Sequence, residues 1–244
     1  MFSCARSAWV LDLVASNELA IAMNPSKKLS VHYIFNETVL PLIEQYFRPS
    51  LPEEFEPVGH RTETWTSGNF WEDNFRTLME YRTELIIREI ESNLDGGLML
   101  WSDVDIVFFS DCAEELNRLS DGTDLLFQKE LADSTSMDCN FGFQLIRRNI
   151  RTLIFYSRLL LLQKATENGN EQSLGNWLLG FPGAPSWGHM PLTYSSESNG
   201  GCRTNSVLYH ANCTAGDSLN KKHRQLNNAV RCYGRALSAP CGVT

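Results

Sequence analysis

The sequence turns on Gly96-Gly97-Leu98-Met99-Leu100-Trp101-Ser102-Asp103-Val104-Asp105-Ile106-Val107-Phe108-Phe109. A run rich in Leu, Ile, Val and Phe, opened by two glycines, predicts a strand buried on both faces, an environment that excludes charge. Asp103 and Asp105 interrupt it. In an extended strand alternate residues point to one side, so the two carboxylates are expected to emerge together on one face. Like charges that close repel unless something neutralises them, and a divalent cation with its anionic ligand does so. The plainer reading ends the strand at Ser102 and leaves two solvated turn carboxylates. Against it, Ile106-Val107-Phe108-Phe109 resumes the apolar run at once.

Strands and helices alternate on either side. Upstream, 9–15 and 29–35 predict strands, 38–47 a helix with Pro41 near its first turn, and 55–58 a short strand. The clearest helix covers 71–93: Phe75, Leu78, Met79, Leu85, Ile86 and Ile90 recur at three- and four-residue steps, and Asp95-Gly96-Gly97 stops it. Arg82 sits inside that apolar stripe, where a guanidinium either snorkels to the edge of the core or meets an anion. Downstream the pattern predicts a helix over 112–119, strands over 124–127 and 139–146, and a helix over 149–166. A short helix over 171–179 is expected to bury Leu174, Trp177 and Leu178; a loop over 181–205, a strand over 207–210 and a helix over 218–230 complete the chain. This alternation, with no repeat and no low-complexity linker, predicts one α/β domain over 1–244 with its core at about 9–230.

Composition narrows the function. Net charge is −8 over 244 residues, of which 43% are hydrophobic and 20% charged. No Lys/Arg block interleaves with aromatics, which argues against nucleic acid as a partner; an anionic ligand has to be held locally, by a few basic side chains or a metal. The apolar stretch 153–162 contains Arg158 and is too short to span a bilayer, so a soluble chain is expected, and Met1-Phe2-Ser3-Cys4-Ala5-Arg6 lacks the pattern of a signal peptide. The 7 cysteines form no Cys-x-x-Cys pair, and no zinc site is expected from them.

In an open α/β sheet, ligands gather at the carboxyl ends of strands. Asp103 and Asp105 lie at such an end, as do Ser16 and Asn17 after the first strand and His210 after the last. Two carboxylates and a neutral imidazole suit a manganese-like ion and leave positions for water or phosphate oxygens. Gly216 and Lys221 add a flexible residue and a cation at the start of the last helix, where a helix N-terminus attracts anions. The plainer alternative for Lys221-Lys222-His223-Arg224 is a solvated basic face.

Taken in order, these residues carry a resemblance. The Asp-x-Asp strand 100–109, Asn140-Phe141-Gly142-Phe143, Glu171-Gln172, and His210 with Asn212, Gly216 and Lys221 resemble the nucleotide-diphospho-sugar transferase family of GT-A glycosyltransferases. That group includes plant cell-wall xylosyl- and arabinosyltransferases. The resemblance implies a GT-A, Rossmann-like fold with a central mixed, mostly parallel sheet flanked by helices. It further implies metal-dependent transfer of a hexose or pentose, with retention, from a nucleotide diphosphate donor, UDP-linked, to a glycan or glycoprotein acceptor. Asp103, Asp105 and His210 would hold Mn2+ or Mg2+. Ser16, Asn17, Arg82 and Asp103 would contact the donor, together with Asn140, Gly142, Gly216 and Lys221. Glu171 and Gln172 would stand at the reacting carbon. The spacing from Gly216 to Lys221 is one residue longer than the family pattern, which makes Lys222 the alternative, and Glu171 stands where an aspartate is usual. The compartment implied by the relatives is the Golgi lumen, or the cytoplasm if the chain is complete.

Two other readings compete. Asp103-Val104-Asp105 also fits the first motif of haloacid-dehalogenase-type phosphatases, with Asp103 as the phosphoryl-accepting nucleophile, although no Gly-Asp-x-x-x-Asp follows. A catalytically silent sugar-nucleotide binder would keep the donor residues and show no turnover.

Overall fold

The computed structural model describes residues 28–64, 73–130, 138–166, 170–194, 205–211 and 218–238. The candidate strand 9–15, Ser16, Asn17 and Gly216 lie outside the described residues.

In chain order the elements are β1 (Leu29–Phe35), a helical segment running through Leu40–Leu42, Ile43–Phe47 and Arg48–Ser50 that we call α1, β2 (Phe55–Arg61), α2 (Asp73–Ser92) and β3 (Leu98–Ser102). Then follow β4 (Ile106–Phe108), α3 (Ala113–Leu119), β5 (Leu125–Lys129), β6 (Cys139–Arg147), α4 (Ile150–Ala165) and α5 (Glu171–Leu179). β7 (Trp187–His189), a 3-10 turn (Leu192–Tyr194), β8 (Leu208–His210) and α6 (Ser218–Ser238) complete the described chain. α1 carries a π-helical stretch at Ile43–Phe47, just before Pro49, whose ring nitrogen has no hydrogen to donate to an ordinary helical turn.

Six strands form the central sheet in the order β2-β1-β3-β6-β5-β7. Pairings β1–β2, β1–β3 and β5–β7 are parallel, whereas β6 runs against both its neighbours. This is the mixed, mostly parallel sheet of a single α/β domain. Alternation along β3 distributes the core. Leu100 faces a cluster with Ile43, Phe47, Phe108 and Leu116, while Met99 and Trp101 face the other layer with Ile86 and Ile90 of α2 and Tyr156 and Leu159 of α4. Arg82 neither snorkels nor stays solvated: it is 6% exposed, held among apolar neighbours by two carboxylates described below.

Three expectations need correction. The stretch 98–109 is two strands, not one. β3 ends at Ser102, and the chain turns over Asp103–Asp105 into β4, which leaves the main sheet and pairs antiparallel with β8. The apolar run resumes because 106–108 is buried a second time, in a two-stranded sheet. The plainer reading is right that the strand ends at Ser102 and that the aspartates stand in a turn, but Asp105 is 3% exposed and so is not solvated. On α5 Leu174 and Leu178 pack against the core as expected, but the fully buried residues are Glu171, Gly175 and Leu179, and Trp177 is 56% exposed. A Cβ at Gly175 would collide with the Phe141 ring, so that face of α5 lies directly against β6 and turns Trp177 outward. Finally, the expected loop 181–205 contains β7, which the main sheet accepts as its edge, and the 3-10 turn.

β6 also departs from regular pairing. Gln128 of β5 is opposite Asn140 but its neighbour Phe127 is opposite Gln144, so Phe141-Gly142-Phe143 bulges between them. Because β6 is antiparallel, this bulge stands at the edge where β3 ends, with Ser102 opposite Phe143 and the Asp103 N–H donating to the Gly142 carbonyl at 2.6 Å.

Candidate active site

At that edge lies a cavity of about 220 Å³. β3 and the turn after it supply Ser102, Asp103 and Asp105, the β6 bulge supplies Asn140 and Gly142, and β8 supplies His210. Arg82 and Met79 come from α2, Glu171 and Gln172 from α5, and Ser218, Leu219 and Lys222 from the start of α6. Trp101, Ile34 and Phe35 form an apolar wall.

The β4–β8 pairing brings His210 to the aspartates. His210 is opposite Ile106, the residue after Asp105, and the Ala211 N–H donates to the Asp105 carbonyl at 2.9 Å. His210 Nε2 lies 3.4 Å from Asp105 Oδ1 and 3.8 Å from Asp103 Oδ2. One ligand atom from each of the three lies within 4.8 Å of the others. The other ring nitrogen, Nδ1, is 2.7 Å from Gln128 Oε1, and Gln128 in turn donates its Nε2 to the Tyr194 carbonyl at 2.5 Å. A carbonyl can only accept, which fixes the orientation of the Gln128 amide. Nδ1 must then carry the hydrogen, and in the neutral ring Nε2 turns a lone pair toward the aspartates.

Charge is arranged tightly here. Lys222 Nζ is 2.5 Å from Asp105 Oδ2, a close and largely buried ion pair. Burial works against the Asp105 charge, but Lys222 and His210 outweigh it and hold the carboxyl well below the usual carboxylate range. For His210 burial opposes protonation, and Asp105 and Asp103 outweigh it, raising its pKa. Arg82 bridges two acids. Its Nη1 donates to Asp103 Oδ1 at 3.0 Å, while Nε (2.8 Å) and Nη2 both hold Glu171 Oε2. Burial pushes the Glu171 carboxyl up, against the pull of the Arg82 guanidinium.

Gly142 has a reason to lack a side chain, since a Cβ there would overlap Asp103 Oδ2 and crowd Asn140 Oδ1. Asn140 accepts the Gly142 N–H through Oδ1 (2.7 Å) and donates through Nδ2 to Glu130 Oε2 (2.6 Å). Gln172 Oε1 accepts the Phe141 N–H at 3.2 Å.

The structure therefore gathers Arg82, Asp103, Asp105, Asn140, Gly142, Glu171, Gln172 and His210 around one cavity. Of the two lysines, Lys222 lines the cavity and Lys221 does not. Sequence reasoning missed Gln128 and Glu130. Gln128 left a weak signal, a polar residue closing the apolar run Leu125-Leu126-Phe127, and Glu130 left none.

Several solved glycosyltransferases share the fold. GlyE of Streptococcus pneumoniae TIGR4 superposes at a TM-score of 0.56 with 11% identity, over 87% of this chain and 62% of that one. A glycosyltransferase involved in glycosylation of the major capsid of PBCV-1 superposes at 0.54 with 13% identity, over 81% and 98%, and bifunctional WbbM at 0.53 with 11%, over 88% and 53%. The chain thus spans 62% of the length of GlyE. No curated protein sequence matches it. Among the described residues, no helix is long and apolar enough to cross a membrane. A family model, described as nucleotide-diphospho-sugar transferase, matches residues 65–226, and leaves no place for the phosphatase alternative. On that match and on the GT-A architecture it shares with those glycosyltransferases, the chain belongs to the nucleotide-diphospho-sugar transferase family.

Proposed function

We propose that this chain transfers a sugar from a nucleotide diphosphate donor, UDP-linked, to a hydroxyl of a glycan or glycoprotein, with Mn2+ or Mg2+ held by Asp103, Asp105 and His210. The observation that carries the reading is the charge balance of the cavity. Four carboxylates line it (Asp103, Asp105, Glu130 and Glu171) against two cationic side chains, Arg82 and Lys222. A diphosphate brought in alone adds charge of the sign already in excess, so an anionic donor calls for a divalent cation as well.

The residues fit such an ion. Asp105 and His210 are almost fully buried, and one ligand atom from each of Asp103, Asp105 and His210 lies within 4.8 Å of the others. Two carboxylates and an imidazole with a lone pair fixed toward them form an oxygen-and-nitrogen ligand set suited to manganese. When bound, the cation supplies Lewis-acid stabilisation to the departing diphosphate. Asp103 is held in place by Arg82, and the absent Cβ of Gly142 keeps the space beside it clear. Lys222 adds positive charge on the leaving-group side. Asn140 hydrogen-bonds the sugar, and Gln172, whose Oε1 is occupied by a backbone N–H, offers its amide hydrogens near the anomeric carbon. Glu171, 1% exposed and committed at Oε2 to Arg82, acts by positioning that guanidinium. Ser16, Asn17 and Gly216 are assigned to the donor, and retention to the chemistry, on the resemblance alone.

The test is thermal stabilisation by a panel of nucleotide sugars with and without manganese, on the wild type and Asp105→Asn. At a donor concentration 100-fold above Kd, binding adds about 2.7 kcal/mol, or roughly 5–10 °C for a domain of this size. The expected result is stabilisation by a uridine donor that needs manganese and vanishes in the variant. Equal stabilisation without metal, or in Asp105→Asn, overturns the reading. Metal-dependent binding with no turnover on any acceptor assigns a silent binder instead.

A further inference from the structure

We propose that His32, His60 and Glu89 form a second metal site, of the zinc class, behind the apolar wall of the cavity. The three residues come from three elements: His32 from β1, His60 from β2 and Glu89 from α2. The parallel register sets Val58 opposite His32 and His60 opposite Ile34, so the two imidazoles are offset by two residues and lie on one face of the sheet. His32 is buried, and His60 and Glu89 are half-buried.

His32 Nδ1 and His60 Nε2 are 3.1 Å apart, and one ligand atom from each of the three residues lies within 4.8 Å of the others. Two nitrogens on a tetrahedral zinc, each at about 2.0–2.1 Å, sit about 3.3 Å from one another, so the imidazoles need shift only slightly to share an ion. Two histidines and one carboxylate also leave a fourth position for water. Trp101 backs both rings nearly in parallel, at 6.4 Å and 15° from His32 and 6.0 Å and 17° from His60, which restrains their planes. Arg88 and Arg148 bear on the same imidazoles and oppose an added positive charge. Each is offset by a carboxylate, Arg148 by Asp95 at 3.2 Å and Arg88 by Glu84 at 3.6 Å. The bland account of the pair is a single shared hydrogen between two neutral rings, with the Glu89 carboxylate beside His60 as a charge partner.

Position gives the ion a purpose. Trp101, against which both rings lie, lines the cavity, and Glu89 follows Arg82 by seven residues, two turns along one face of α2. A bound zinc would fasten edge strand β2 and helix α2 to β1 at the back of that wall. No step of the proposed transfer depends on it.

The chain is stripped with a chelator and titrated with zinc and with cobalt(II), in the wild type, in Asp105→Asn, and in Asp105→Asn carrying in addition His60→Ala, His60→Gln or Glu89→Gln, so that the first site is disabled wherever the second is tested. The expected result is one zinc equivalent that survives Asp105→Asn, raises the melting temperature of that variant, and binds at least 100-fold more weakly in each of the other three. Cobalt in the same site should show the visible absorption of a four-coordinate ion, absent in His60→Gln. Far-UV circular dichroism of the metal-free variants, matching the wild type, excludes misfolding as the cause. The proposal is overturned if Asp105→Asn binds no zinc, or if adding His60→Gln and Glu89→Gln leaves zinc bound as tightly as in Asp105→Asn alone.

Discussion

Asp105 and Asp124 are both buried aspartates with strongly depressed pKa values, and they are put to opposite uses. Every oxygen of Asp124 is occupied. Oδ1 accepts from Asn149 Nδ2 and Arg151 Nη2, both at 2.7 Å, and Oδ2 accepts from Arg151 Nε at 2.7 Å and from the N–H and hydroxyl of Ser186 at 3.0 Å each. It thereby joins the start of β5 to the N-cap of α4 and the residue before β7. Asp105 instead has Lys222 at 2.5 Å and His210 at 3.4 Å, and both of these line the cavity. A carboxylate whose partners tie elements together serves the fold; one whose partners line a cavity faces whatever enters it.

Exchanging the two chemistries is the sharpest way to break this comparison. Asp105→Asn is expected to lower transfer by roughly 10³-fold and to cost less folding stability than Asp124→Asn, because Lys222 is partly exposed and can turn to water. Asp124→Asn is expected to keep activity within a few-fold and to cost about 3 kcal/mol of folding free energy, read from urea unfolding. Loss of stability without loss of activity in Asp105→Asn, or the reverse in Asp124→Asn, would erase the distinction.

Two substitutions test how far the site's shape matters. Gly142→Ala puts a methyl group into Asp103 Oδ2 at the centre of the bulge, and a drop of 10- to 100-fold in donor affinity is expected from isothermal titration with manganese present. Gln128→Leu removes the acceptor for His210 Nδ1 and frees the other tautomer, which should weaken manganese 10- to 100-fold without changing the donor spectrum.

The sequence made some of this plain and hid the rest for identifiable reasons. Helix 73–92 declares itself through periodicity, and strands 29–35 and 139–147 through short apolar runs, the second of them buried at every position from Cys139 to Ile146. The aspartates stood out as charge inside an apolar run, and the run concealed its own break: 98–102 and 106–108 are equally apolar because each is buried in a different sheet. Contacts of long sequence separation left no local trace. Arg82 could be flagged as a cation in an apolar stripe, yet its partner Glu171 is 89 residues away, and Gln128 reaches His210 across 82. Trp177 was assigned to the core by hydrophobicity, whereas Gly175, the residue that permits α5 to approach Phe141, determines which face turns inward.

Acid tests the Asp124 half of the comparison, by a smaller effect. The Asp124 carboxyl is depressed in the folded chain: burial opposes its charge, and the hydrogen bonds from Arg151, Asn149 and Ser186 outweigh burial. In the unfolded chain the same group titrates near 3.9. The unfolded state therefore takes up the proton first as pH falls, so the stabilisation from Asp124 is complete above about pH 5 and is lost progressively below about pH 4. Asparagine cannot titrate, and a protonated Asp124 is neutral like it. The difference in unfolding free energy between wild type and Asp124→Asn should accordingly be constant from pH 8 to about pH 5 and narrow below pH 4. A gap that stays constant down to pH 3 would mean that the hydrogen bonds to Asp124 stabilise the fold through shape and not through charge, and the contrast with Asp105 would then rest on packing alone.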